Sequence, residues 1–168
     1  MAKGIEAIYT QITDGTSSGI SFNNIPQTYT DLLLKISARA TAPSWDSFGL
    51  ICNGDQSSRS SNKIQGSGSA ASANRSTYRD FASMGGTNTT SSVFGSYEIY
   101  IPNYTLSGFH HILINGVNEN NATEAYQYFT SFLESTGRPV TSLGISSSTY
   151  GTPFAQYSSA TLYGISNR

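Results

Sequence analysis

Between Leu32 and Ala38 the chain alternates strictly, with Leu32, Leu34, Ile36 and Ala38 on one side and Leu33, Lys35 and Ser37 on the other. Side chains of an extended strand point alternately to its two faces, so this is the period of a strand with one covered face. The closing run Ser159-Ala160-Thr161-Leu162-Tyr163-Gly164-Ile165 reads the same way. So do Glu6 to Ile12, with Ile8 and Ile12 on one face, and the short stretch through Ile20 and Phe22. Strands are also predicted over 31–40, 47–52, Phe94 to Ile101, His110 to Val117, Ala125 to Leu133, Val140 to Ser146 and Ala160 to Ile165. Turn signals separate them: Asp14-Gly15, Ile25-Pro26, Pro43-Ser44, Asn53-Gly54-Asp55, Pro102-Asn103 and Gly137-Arg138-Pro139.

About nine strands with no long helix predict an all-β fold, an antiparallel two-sheet β-sandwich occupying 1–168 as one domain. Residues 55–92, rich in Ser, Gly and Asn, read as a long loop holding a short strand near Asn62 to Gln65 and a helical turn from Ser76 to Phe81. The core is expected to include Leu34, Ile36, Leu50, Ile99, Ile112, Leu143 and Leu162.

Only 11% of residues are charged while 12% are aromatic, which argues against disorder and for a surface of hydroxyls and amides. A formal charge of -1 supplies no long-range attraction to nucleic acid or to an anionic membrane, so neither is an expected partner. No apolar run approaches the roughly 18 residues of a membrane span, and the start Met1-Ala2-Lys3-Gly4-Ile5-Glu6 lacks a signal-peptide core. Synthesis in the cytoplasm is the expectation. Cys52, alone, shares a strand face with Phe48 and Leu50 and is expected in the core.

No motif selects a catalytic residue, a metal or a cofactor. His110 and His111 are adjacent on a strand and so point to opposite faces. The scattered acids select no pair suited to glycoside hydrolysis, and neither a nucleophile elbow nor a phosphate loop is present. Asn53-Gly54-Asp55 is a turn before it is a calcium site, since one Asp leaves such a site undercharged. Two contact candidates remain. Arg59, Lys63, Arg75 and Arg79 fall in an acid-free stretch, 59–79, suited to an acidic partner, although a solvated loop is the simpler reading. Trp45, between Pro43 and Asp46, is open to two roles: an exposed anchor or a lid on the core.

The run Phe22-Asn23-Asn24-Ile25-Pro26-Gln27-Thr28-Tyr29, the alternating leucines after it, and the ending Leu162-Tyr163-Gly164-Ile165 resemble a family of jelly-roll domains in bacteriophage virions. Glu98-Ile99-Tyr100-Ile101-Pro102-Asn103-Tyr104 and Glu119-Asn120-Asn121-Ala122-Thr123 look like segments of marine phage structural proteins. The resemblance implies a jelly roll and transfers no active site. It implies a virion protein made in the host cytoplasm, with the major capsid protein or other virion proteins as partners and a homo-oligomer, such as a trimer, as its state. Capsid decoration is the favoured role, because the chain starts at its own Met1 without a collagen-like, coiled-coil or adaptor segment ahead. The alternative is a tail-fibre or tail-knob domain that recognises a host glycan. A bacterial carbohydrate-binding module is a third reading, disfavoured by the missing signal peptide.

Overall fold

The structure, a computed structural model, describes residues 4–56, 59–77, 80–147 and 151–167. Twelve strands follow one another: β1 (Gly4–Ile12), β2 (Gly19–Phe22), β3 (Asp31–Ala38), β4 (Asp46–Cys52), β5 (Arg59–Gly66), β6 (Ala71–Ser76), β7 (Asp80–Met84), β8 (Gly95–Ile101), β9 (His110–Asn120), β10 (Glu124–Glu134), β11 (Leu143–Ser147) and β12 (Ser159–Ser166). They form an eight-stranded sheet, β1-β12-β3-β8-β9-β10-β5-β6, and a four-stranded sheet, β2-β11-β4-β7. Every neighbouring pair is antiparallel.

The connectivity is that of a jelly roll. β1 to β4 step alternately between the sheets, β7 and β8 step back, and β11 and β12 thread between the earlier strands. That pattern alone makes two four-stranded sheets. Two hairpins are added to it, β5–β6 after β4 and β9–β10 after β8. They pair with each other through β10 and β5 and double the width of one sheet.

The segment 55–92 is therefore more regular than its sequence suggests. β6, Ala-Ser-Ala-Asn-Arg-Ser, is exposed over nearly its whole length and carries no burial alternation. Its ladder with β5, and not a covered face, makes it a strand. Residues 80–84 form β7 with Phe81, Ala82 and Met84 buried, where the sequence suggested a helical turn over Ser76 to Phe81. β1 also departs from expectation. A bulge lies between Ala7 and Tyr9, so Ile8 packs against the core while Ile12 is exposed. Asn53-Gly54 makes the tight turn its sequence predicts, with both φ angles positive, 51° and 73°, and the Asp55 amide donating to the Cys52 carbonyl.

Leu34, Ile36, Leu50, Ile99, Ile112, Leu143 and Leu162 are all buried, and Cys52 packs with them. The centre of the sandwich is aromatic. Phe48 of β4 meets Phe81 and Tyr97 edge-on, with centroids 4.5 and 4.7 Å away. Tyr97 crosses the core from β8, and its hydroxyl donates to the Ser83 carbonyl of β7 at 2.7 Å. Its ring lies against Gly95 and Gly116, where an added Cβ would stand 2.2 Å from the Tyr97 hydroxyl and 2.3 Å from its ring. Beside the sandwich, Arg39 is buried and donates to the carbonyls of Thr89, Thr90 and Val93, which pins the loop before β8.

Two outcomes follow from this core. Gly116→Ala is expected to lower unfolding free energy by about 1–3 kcal/mol, because the ring beneath it has no room to retreat; urea unfolding measures it. Burial holds the Tyr97 phenol well above its usual pKa. Its contribution to stability is complete below the unfolded value near 10 and is lost as pH rises beyond it. Unfolding midpoints should therefore fall above about pH 10, and less steeply in Tyr97→Phe.

Candidate functional site

The small sheet covers only part of the large one, and among the described residues no layer covers the outer face of the large sheet. Inward positions of its central strands are apolar and buried, as in Leu34, Ile99, Ile112 and Leu162. Outward positions follow from the register. Thr161, Lys35, Glu98, Asn115, Phe129 and Ile64 stand directly opposite one another on β12, β3, β8, β9, β10 and β5. Strands lie about 4.8 Å apart, so the part of this row from Thr161 to Phe129 runs for about 19 Å.

The two halves of the face differ in chemistry. On β9, β10 and β5, Phe129, Ile64 and Val117 are 44%, 55% and 50% exposed, and Leu113 joins them. Phe129 is at the centre of this patch: Ile64 is its opposite number, and Leu113 and Val117 flank Asn115 on the neighbouring strand. On β12, β3 and β8 the row itself and Ser159, Ser37 and Ser96 beside it are polar, while Tyr163, Leu33 and Tyr100 stand on its other side. Lys35 Nζ and Glu98 Oε1 form an exposed ion pair at 2.9 Å, and the hydrogen bond to Glu98 raises the lysine pKa above its usual value.

Two shallow depressions follow this pair. One, of about 240 Å³, is lined by Lys35, Ser37, Ser96, Glu98, Ser159 and Thr161. The second, of about 200 Å³, shares Ser96 and Glu98 with the first and continues past Asn115 and Val117 to Gln127. Together they make one trough across five strands. Serines form its floor where larger residues would fill it.

The candidates from sequence fall elsewhere. Arg79 lies outside the described residues, and Arg59 opens β5 opposite Glu134. Lys63 and Arg75 take opposite faces of the β5–β6 hairpin, because Arg75 is paired with Asn62, the neighbour of Lys63. Lys63 is half-buried on the inner face with its ammonium 5.9 Å from the Tyr128 ring centroid, and burial lowers its pKa despite Asp80 nearby. Arg75 is exposed on the outer face and its Nε donates to Ser60 Oγ at 3.4 Å. The hairpin thus divides cations that a loop would have gathered. Trp45 is half-buried and meets Tyr126 of β10 edge-on at 4.4 Å, which makes it a lid on the flank of the core.

His110 and His111 point to opposite faces. His110 is buried with Nε2 2.9 Å from the Arg138 carbonyl, and His111 is exposed. The buried carboxylates among the described residues have structural neighbours: Asp31 accepts from the Tyr100 hydroxyl and the Asn103 amide, Asp46 from the Ser147 and Thr152 hydroxyls, and Glu134 from the Thr136 amide at 2.9 Å. Sequence reasoning identified Lys35 as an outward residue of its strand, but not its meeting with Glu98 and Asn115. No local signal joins residues so far apart in the chain. Only the strand register does.

No family model matches the chain, and no curated protein matches its sequence. Among solved structures the fold is similar to that of a Caenorhabditis elegans galectin, LEC-6, with 12% identity, a TM-score of 0.39, and coverage of 91% of this chain and 94% of that one.

The exposed pair is expected to contribute little to folding. Lys35→Ala and Glu98→Gln should each leave the urea unfolding midpoint almost unchanged, as is usual for surface ion pairs.

Proposed function

We propose that this chain is a bacteriophage virion structural protein that acts by binding rather than catalysis, and that it decorates the outside of the capsid and stabilises the particle. The observation that carries the reading is the uncovered outer face of the eight-stranded sheet, with an apolar patch around Phe129 on strands that a jelly roll does not require. Isolated exposed apolar residues are ordinary on protein surfaces. A contiguous group on a rigid sheet is a docking surface in need of a partner. The major capsid protein or another virion protein is that partner here, and a homo-oligomer such as a trimer would present the patch several times over. Repeated weak contacts on a particle with many equivalent sites give strong retention.

This moves the docking surface from the cationic stretch to the apolar half of the sheet, since Lys63 and Arg75 do not share a face. The association should then respond weakly to salt, whereas contact through the cations would weaken steeply as salt screens it. The phage assignment itself rests on the sequence resemblance.

A second reading has an observation of its own. The polar trough beside the patch suits a tail-fibre or tail-knob domain that recognises a host-surface glycan.

Copy number separates the two. Quantitative mass spectrometry of purified virions should find the chain at a multiplicity comparable to the capsid protein, and labelling should place it on heads. A few copies on the tail would transfer it to the second reading. Phe129→Asp should abolish retention on particles while leaving the unfolding midpoint unchanged, because the residue is outside the core.

A further inference from the structure

Three features of the polar trough constrain what can occupy it. Lys35 and Glu98 are the charged residues among those lining it, and they neutralise one another at 2.9 Å. An anionic or cationic ligand would have to compete with an ion pair already formed. A nucleic acid would find no net positive charge to replace its counterions. The trough also lies on the face of a sheet whose strands are paired on both sides here, from β12 to β10. An extended peptide gains its main-chain hydrogen bonds at a free edge, and the trough borders none, since the large sheet ends at β1 and β6.

What the trough does offer is a dense mixture of neutral donors and acceptors. The Ser37, Ser96, Ser159 and Thr161 hydroxyls and the Asn115 and Gln127 amides each both donate and accept. They stand on strands and not on loops, so little conformational entropy is lost when they engage a ligand. The matching chemistry is a chain of hydroxyl groups on an uncharged, ring-shaped skeleton, whose apolar ring face can lie against Val117.

We propose that this trough binds an uncharged oligosaccharide, laid across β12, β3, β8, β9 and β10, with Glu98 and Asn115 as its central hydrogen-bonding residues. The ligand is held and not hydrolysed: Glu98 is the one carboxylate lining the trough, and glycoside hydrolysis requires two. The proposal concerns the polar half of the face and holds whether the chain is on the head or the tail.

The test uses the intact chain on an array of immobilised glucose, mannose and galactose oligosaccharides together with sialylated and sulfated ones, followed by calorimetry on the neutral oligosaccharides retained. Neutral oligosaccharides should bind, and Glu98→Gln and Asn115→Ala should each weaken them about tenfold or more, the effect of one buried or charge-assisted hydrogen bond. Unfolding midpoints of both variants report that the sheet is intact. Ile64→Asp, which charges the proposed particle-docking patch on β5, one strand beyond the trough, should leave sugar affinity within about twofold, so that failure of docking and failure of sugar binding are read separately. The proposal is overturned if no neutral oligosaccharide is retained, if only anionic ones are, if binding survives both trough substitutions, or if Ile64→Asp alone abolishes it.

Discussion

Tyr97 ties the two sheets of this molecule together through both its ring and its hydroxyl. Its ring fills the space left by Gly95 and Gly116 on its own sheet and meets Phe48 of the other edge-on. Its hydroxyl ends on the Ser83 carbonyl of β7. A buried phenol without an acceptor would cost about 1–3 kcal/mol, and here the acceptor belongs to the opposite sheet. The hydrogen bond therefore fixes where β7 lies relative to β8, as well as satisfying the group. Asn118, whose amide donates to the same carbonyl at 3.3 Å, adds β9 to the arrangement.

That arrangement explains why the small sheet can stop at β7 while the large one continues. The jelly-roll strands alone give sheets of equal width, and the paired hairpins β5–β6 and β9–β10 extend only one of them. Beyond β7 the inner face of the extension has little above it, which is why Lys63 can rest on the Tyr128 ring and Trp45 can close the flank against Tyr126. The outer face gains a broad platform. Its residues are free to serve recognition because the hydrophobic work of folding is done on the other side of the same strands.

The sequence made the fold class legible wherever one face of a strand is buried and the other is wet. β3, β8, β9 and β12 alternate cleanly, and each expected core residue named from them is buried. It failed where burial is not periodic. β6 is exposed on both faces, and β1 carries a bulge that moves Ile12 to the opposite face from Ile8. The candidate site was less legible, and the reason is geometric. A cationic cluster in sequence became two faces of a hairpin, since adjacent side chains on a strand diverge. Lys35, Glu98 and Asn115 met through register alone, which is set by long-range pairing across β3, β8 and β9.

Core and outer face are not independent, because each strand carries both. Gly116, inward under Tyr97, lies between Asn115 and Val117, which point outward into the trough and the apolar patch. Ile36 and Tyr97 likewise alternate with the trough residues Lys35, Ser37, Ser96 and Glu98 on β3 and β8, and both also line the trough through their backbone stretch of sheet. A change in core packing at Tyr97 would be transmitted directly to the spacing of the outward row, since a strand cannot shift one face without the other. The neutral surface chemistry depends on that rigidity. Hydroxyls and amides make individually weak hydrogen bonds in water, and they discriminate between ligands only when their relative positions are held by something stiffer than themselves.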